Sequence, residues 1–208
     1  MKHNQSEKTS RKILDATLKL FVKRGFHGTS ISDISKATNL TKGAIYFHFK
    51  NKDALLKSVL EEFEKAYLDK MFEEVESQRG RAIDKMRHLL RFSLNFVPKN
   101  EDLCMSLLNL STELCSSHKK YEKDIKRIYK KYAKFLADLL EKGQKDNSFR
   151  KDVNPNILAL YLIGSNDGNL LQWTLNKDEI NGADFSSNYV KFFLNSICRK
   201  KNAVKVER

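Results

Sequence analysis

Residues 29–56, TSISDISKATNLTKGAIYFHFKNKDALL, carry apolar and capping residues at a spacing that predicts two short helices joined by a tight turn. Ser30 can cap a first helix over about residues 31–37, and Asp33 adds negative charge near its N-terminus. After a three-residue turn, Thr41 can cap a second helix. Helices joined by so short a turn cross at about 90–120°, which predicts a DNA-binding helix-turn-helix.

The exposed side of the second helix carries small and hydrogen-bonding residues where its first turn would meet base edges. Lys42 can donate to guanine acceptors in the major groove. Gly43 costs about 1 kcal/mol relative to alanine in a helix interior, which favours close approach of the backbone to DNA, with helix fraying as the alternative. On the other side, Ile45 and Phe49 are four residues apart and are predicted to be buried.

A polar break at residues 50–53 separates this pair from a long helix. Asn51 is a suitable cap, and Lys52 stands at the helix start, where a cation and free amides suit a phosphate. An apolar stripe then continues to about Ser77, which predicts a single helix of about seven turns. The stripe consists of Leu55, Leu56, Val59, Leu60, Phe63, Tyr67, Met71 and Val75.

The motif G-x-x-x-T-S-I-x-D-I-S-K-A followed by K-G-A-I-Y-F-H-F-K-N-K-D-A-L-L resembles the TetR family of transcriptional repressors. The match is dense, although it covers only the first quarter of the chain. It implies base contacts for residues 42–44 and phosphate contacts for Thr29, Tyr46, His48 and Lys52. The candidate DNA contacts are Thr29, Thr41, Lys42, Gly43, Ala44, Tyr46, Phe47, His48 and Lys52.

Charge supports DNA binding independently of the motif. Residues 1–52 hold eleven Lys and Arg against three Asp and Glu, which is +8 of the chain's net +13, and residues 199–208 add +4. Neutralising phosphates with release of counterions requires such a concentration of cations, and it predicts affinity that falls steeply with salt. A solvated basic face or a membrane-binding tail is the alternative for either segment taken alone.

The remaining sequence favours an all-α protein of about nine helices, because no strand-like alternation extends for any length. We expect a three-helix DNA-binding head in residues 1–52 and a ligand-binding and dimerisation domain in residues 53–208. Pro98 is predicted to end one helix and Gly143 with Asp146-Asn147-Ser148 to end another, and Asn181-Gly182 marks the last loop. Besides the elements above, helices are predicted at about residues 9–24, 82–96, 101–116, 119–144, 155–176 and 185–199.

The location follows from what the chain lacks. It has no run of about 18 apolar residues and no apolar segment in its first ten residues, so we expect neither a membrane span nor a secretory signal. We therefore expect a cytoplasmic protein. Three cysteines fit a reducing compartment better than a disulfide framework. Cys115 and His118 could form half a metal site completed by His88 or Cys104, but buried or surface side chains without a metal are far commoner, and we expect no metal or other cofactor.

Two helices near the C-terminus are apolar on more than one side. Residues 155–176 and 185–199 therefore predict a subunit interface in a two-fold homodimer, which would place two heads on the half-sites of a palindromic operator. The segments F-R-K-D-V-N-P and D-G-N-L-L-Q-W-T-L resemble the C-terminal part of a TetR subgroup that includes betaine-pathway and fatty-acid-pathway repressors.

A pocket for an unknown small-molecule effector is expected among the helices after Gly80. Asn166, Asp167 and Asn169 stand out, because polar groups in a strongly apolar helix need partners from a ligand, a dimer seam or a cap. Aromatic residues at helical spacing are usually packing, and Phe26 and Phe47 are expected to be core partners. The candidate ligand contacts are His88, Phe92, Phe96, Met105, Asn109, Glu113, Tyr129, Asn166, Asp167 and Trp173.

Two other classes of function compete with a ligand-controlled repressor. An enzyme is disfavoured, because no nucleophile with a base, phosphate loop or complete metal set can be identified. A non-specific or architectural DNA binder could use the same basic head, and would bind promoter and scrambled DNA with similar affinity. The sequence also leaves open an activator, or a repressor without a ligand.

Overall fold

The computed structural model describes residues 2–117 and 119–198, without the side chains of residues 2–4, 116, 117 and 119. Every regular element in these residues is helical, and the one β-bridge pairs Phe149 with Cys198. The all-α prediction is confirmed. None of the described helices is long and apolar enough to cross a membrane. The helices are α1 Lys2–Arg24, α2 Ile31–Thr38, α3 Lys42–His48, α4 Lys52–Phe63, α5 Lys70–Ser77, α6 Ala82–Phe96, α7 Glu101–Ser117, α8 Lys119–Lys145, α9 Pro155–Asn176 and α10 Gly182–Ile197.

The predicted caps of the first half are confirmed. The Ser30 hydroxyl accepts from the Asp33 amide at 3.2 Å, and the Asp33 carboxylate accepts from the Ser30 amide at 2.9 Å, which completes a capping box. Hydrogen bonds from Ser30 lower the pKa of Asp33. Thr41 and Asn51 cap α3 and α4 by accepting from the third amide of each helix.

Two predicted helix starts were wrong. The α1 helix begins at Lys2, seven residues before the predicted start, because its first turns are polar and give no apolar periodicity. The α10 helix begins at Gly182, since Asn181 accepts from its first free amides. The α8 helix ends at Lys145, one residue beyond the predicted end, and Gly143 lies in its last turn, where a Cβ would come within 1.9 Å of the Phe149 ring, so glycine allows close packing at this point.

The predicted long helix is continuous from Lys52 to Ser77, but its centre is a π-helix over Glu64–Asp69. Leu55, Val59, Phe63, Tyr67, Met71 and Val75 are buried at intervals of four residues. In an α-helix of 3.6 residues per turn, each interval of four rotates the buried position by about 40°. The wider i→i+5 turns of a π-helix reduce this drift and keep the stripe on one face. If α4, the π-helix and α5 are counted together, the described residues contain nine such helices, besides a short 3₁₀ helix at Val97–Lys99.

The chain forms two compact units. The first comprises the described residues of Met1–Leu68 and Lys99–Ile128, and so contains α1 to α4, α7 and the first part of α8. The α7 helix packs against α1 and α4. The helix-turn-helix is built around a core of Ile13, Ile34, Ile45, Phe49 and Leu55.

The second unit comprises the described residues of Asp69–Pro98 and Tyr129–Arg208. In it, α6 packs against α5 and α10. The functional boundary after residue 52 stays a prediction. The fully buried side chains of this unit include Met71, Val75, Met86, Leu89, Leu90, Leu136, Leu140, Phe149, Leu162 and Ile197.

Candidate nucleic-acid interface

The α3 helix buries one side and exposes the other. Ile45 is completely buried and Phe49 is 8% exposed, so both side chains anchor α3 in the core of the head. Tyr46 and Phe47 are 51% and 81% exposed. Seven of the nine candidate DNA contacts, residues 41–44 and 46–48, are therefore exposed or half-buried on one short helix and its cap.

The two aromatic residues that were predicted to be core partners have different environments. Phe26 is 3% exposed and packs edge-on against Phe21 at 5.6 Å, so its burial is confirmed. The prediction for Phe47 as a core residue was wrong, because Ile45 and Phe49 fill the inward positions on either side of it. Its ring lies edge-on to His48 at 5.2 Å on the solvent side.

No packing contact among the described residues requires a glycine at position 43. Within this part of the chain, a Cβ there would meet only the Thr41 Oγ1 at 3.8 Å, which is ordinary contact. The Thr41 hydroxyl also caps α3, which argues against fraying of its first turn. An unoccupied space above a glycine on the exposed face favours close approach by an outside molecule.

Thr29 and Lys52 lie apart from this face and contact the loop between α1 and α2. Thr29 is 1% exposed, and its hydroxyl donates to the Gly25 carbonyl at 2.8 Å. The Lys52 ammonium donates to the carbonyls of Phe26 and Thr29 at 3.0 Å each and lies 4.3 Å from the centre of the Phe26 ring. Both side chains thus hold the loop, and their phosphate contacts stay predictions.

The candidate ligand contacts are all half-buried, but they are divided between the two units. Asn109 and Glu113 on α7 hydrogen-bond to α1 and the loop after it. Trp173 packs against Phe185 of α10, with ring centres 6.2 Å apart. The His88 Nε2 lies 3.5 Å from a Glu74 oxygen. Met105 belongs to the first unit, whereas Phe92 and Phe96 on α6 belong to the second, where their rings stack at 5.7 Å.

Polar side chains from α8, α9 and α10 meet in the second unit. Asn166 donates to the Tyr132 hydroxyl at 3.1 Å and accepts from the Tyr189 hydroxyl at 2.7 Å. The Tyr129 hydroxyl donates to Asp167 at 3.3 Å. We call these five residues the polar cluster. Sequence reasoning did not find Tyr189, since only the packing of α10 on α9 reveals its role.

Burial changes the acidity of this cluster. Desolvation raises the pKa of Asp167 to about 6, and the hydrogen bond from Tyr129 opposes this shift only in part. Burial likewise raises the pKa of Tyr189. A carboxyl with such a pKa can change its protonation state near neutral pH.

The cysteines do not form a metal site in the part of the chain that the structure describes. Cys104 is buried, Cys115 is exposed and Cys198 is half-buried. No group of three His, Cys, Asp or Glu within these residues could hold a metal ion. His118, the proposed partner of Cys115, lies outside the described residues.

Sequence comparison matches the head and the following helices to two known profiles. Residues 13–59 match "Bacterial regulatory proteins, tetR family", and residues 60–195 match "YsiA-like protein, C-terminal region". The chain belongs to the TetR family. Members of this family are transcriptional regulators, which excludes the enzyme alternative.

Individual relatives extend over most of this TetR family chain. The repressor DhaR of Mycobacterium sp. strain GP1 is 25% identical over 166 residues, covering 80% of this chain and 82% of DhaR. The regulator MbdR of Azoarcus sp. CIB is 30% identical, with a TM-score of 0.81 and coverage of 90% and 97%. FadR of Bacillus subtilis, solved with stearoyl-CoA, has the same fold, with 20% identity, a TM-score of 0.75 and coverage of 90% and 98%.

Proposed function

We propose that this TetR family regulator is a homodimeric repressor that reads a palindromic operator through α3 and is released by an acyl thioester. The observation that carries DNA reading is the exposed face of α3. This face carries Lys42, which can donate hydrogen bonds, Gly43, and the exposed rings of Tyr46 and Phe47. Buried Ile45 and Phe49 fix the helix from its other side. An arrangement of this kind suits entry into the major groove.

A mobility-shift assay with the chain's own promoter fragment tests this function. We expect retention that weakens steeply as salt rises, because the head carries most of the net positive charge. Affinity for the promoter should exceed that for scrambled DNA by about 10³-fold or more at matched salt. A ratio near one would support the architectural alternative instead.

Lys42→Ala should lower operator affinity by about tenfold or more and reduce the preference for one base pair in each half-site, since a base contact contributes about 1–3 kcal/mol. The measurement is a competition assay against operators that carry single base changes. Lys134→Ala is the matched control, because Lys134 is an exposed lysine on α8 in the other compact unit. A uniform loss of affinity across all sequences would show that Lys42 contacts phosphate rather than bases.

The proposed dimer forms through α9 and α10. Several large apolar side chains of these helices are 42–72% exposed, and exposed apolar surface of this extent is typical of an interface. Gly164 and Gly168 lie among them on α9, and a Cβ at either would meet no atom within 4 Å in the part of the chain that the structure describes. The exposed side chains are Ile157, Leu160, Tyr161, Leu171, Leu175 and Phe192.

The proposed effector site is the polar cluster. It provides hydroxyl and amide groups beside the apolar residues of α9, and an acyl thioester has a polar carbonyl next to an apolar chain. The B. subtilis FadR structure with stearoyl-CoA supports this class of ligand. An effector of this kind would release DNA only if it binds the DNA-free arrangement more tightly.

Thermal unfolding with a series of acyl-CoA thioesters tests the effector. A ligand of the native state at 100 times its Kd should stabilise the protein by about 2.7 kcal/mol, and the same compound should reduce operator retention. Coenzyme A without an acyl chain is the control. If no chain length shifts the transition while the promoter is still retained, the acyl thioester proposal is wrong and the DNA-binding proposal stands.

A further inference from the structure

The loop between α1 and α2, residues 25–29, is held by side chains from two distant helices. We infer that Glu113 of α7 is a positioning residue that fixes this loop and thereby sets α2 and α3 in their DNA-reading arrangement. The inference rests on the proposed DNA-binding function. It concerns a residue that does not contact DNA.

Glu113 binds the loop through both carboxylate oxygens. Oε2 accepts from the Phe26 amide at 2.7 Å, and Oε1 accepts from the His27 amide at 2.8 Å. One turn earlier on α7, Asn109 donates to the Val22 carbonyl in the last turn of α1 at 3.2 Å. Two residues at i and i+4 on one helix thus contact the end of α1 and the loop that follows.

The backbone of the loop comes close to this carboxylate at Gly25. Gly25 ends α1 with φ +72°, a left-handed conformation that turns the next amides outward. A Cβ at Gly25 would lie 2.6 Å from the Glu113 Oε2, so only glycine permits both this conformation and this approach. Hydrogen bonds from backbone amides to a carboxylate are stronger than hydrogen bonds between neutral groups.

Lys52 binds carbonyl groups of the same loop whose amides bind Glu113. Its ammonium donates to the carbonyls of Phe26 and Thr29, so Phe26 has its amide held from α7 and its carbonyl held from α4. The Phe26 ring also packs edge-on against Tyr121 at 5.1 Å. Neighbouring Asp53 accepts from Tyr121 at 2.6 Å and from Lys120 at 2.5 Å, which joins the start of α4 to α8.

The loop leads directly into α2 and α3, the two helices of the helix-turn-helix. Thr29 is followed by Ser30, which caps α2, and Arg24 pairs with Asp33 across the loop at 3.2 Å. A change in the loop therefore changes the start of α2, and through the three-residue turn it changes α3. Base contacts tolerate such a change poorly, because each requires hydrogen-bond geometry, whereas phosphate attraction depends mainly on net charge.

Glu113→Gln tests the inference, since glutamine keeps the shape but has only one oxygen to accept. We expect operator affinity to fall about tenfold, while affinity for scrambled DNA and its salt slope stay unchanged because no cation is lost. Glu61→Gln removes the same charge from an exposed pair with Lys57 on α4 and should leave the operator affinity unchanged. If the Glu113 variant binds operator as the original chain does, the inference is wrong.

Amide hydrogen exchange gives a second readout that does not depend on DNA. The amides of Phe26 and His27 should be protected in the original chain and should exchange faster in Glu113→Gln, while the amides of α9 stay unchanged. Rapid exchange of both amides in the original chain would overturn the inference even if the variant did not fold. Loss of operator binding by the original chain would instead overturn the proposed function.

Discussion

Gly168→Gln is expected to give a folded monomer whose operator affinity is at least about a hundredfold lower than that of the original chain. Glycine in an exposed helix interior costs about 1 kcal/mol, and a Cβ at Gly164 or Gly168 would have no atom of the described residues within 4 Å. Without a partner helix, glutamine at this position would only stabilise α9. With a partner helix crossing there, its side chain would prevent close approach.

The loss of affinity follows from the loss of the second head. A dimer that occupies one half-site binds the other intramolecularly, and this linkage raises overall affinity by about 10²–10⁴-fold. A monomer that retains α3 keeps only its single half-site contact. The affinity should therefore fall even though Gly168 lies far along the sequence from every candidate DNA contact.

Light scattering coupled to size-exclusion chromatography measures the oligomeric state, and the mobility-shift assay measures the affinity. Gly43→Gln is the matched control, because a Cβ at this position on α3 would meet only ordinary contact among the described residues. It should leave the dimer intact and weaken DNA binding through α3 alone. If Gly168→Gln stays dimeric and unfolds at a higher temperature, α9 glycines do not lie at the interface.

The local elements of the fold could be predicted because their causes are local. Ser30, Thr41 and Asn51 are each placed three residues before the amide that they accept from, so the chain itself fixes those helix starts. The inward positions of α3 follow from spacing in the same way. The sequence of the α4 to α5 stripe also indicates the π-helix, because its buried residues recur every four positions, which exceeds the 3.6-residue period of an α-helix.

The parts that could not be predicted depend on residues distant in sequence. Glu113 and Phe26 are 87 residues apart, and no periodicity indicates that a carboxylate on α7 accepts from this loop. Lys52 suits a phosphate by its position at a helix start, yet its ammonium is bound by two carbonyls of the loop. The hydrophobicity of Phe47 predicts a core residue, although Ile45 and Phe49 already occupy the inward positions of α3.

Asp167→Asn is expected to raise the free energy of unfolding at pH 7–8 by up to about 3 kcal/mol. The native pKa of about 6 lies above the ordinary value of 3.8, because burial disfavours the charged form. Above pH 6 the native state must ionise a desolvated carboxyl that the unfolded chain ionises in water. Each unit of pKa difference corresponds to about 1.4 kcal/mol, and asparagine avoids this cost because it is neutral at all pH values.

The sign of the pH dependence distinguishes this mechanism from a change in packing. Between about pH 4 and pH 6 the native state retains the proton that the unfolded state has lost, so Asp167 reduces stability as pH rises through this range. The difference between Asp167→Asn and the original chain should be small at pH 4, grow up to pH 6 and then stay constant. Urea unfolding at a fixed protein concentration measures it, since dissociation would otherwise contribute.

Asp138→Asn supplies the control for this series, because Asp138 is an exposed carboxylate on α8 that pairs with Lys134 at 2.9 Å. Removal of a surface pair changes stability by less than about 1 kcal/mol. Tyr129→Phe should raise the pKa of Asp167 further, because it deletes the hydrogen bond that lowers this pKa. The pH at which stability stops falling should therefore move upward. A constant difference between Asp167→Asn and the original chain from pH 4 to pH 8 would mean that packing, and not a buried charge, determines the effect.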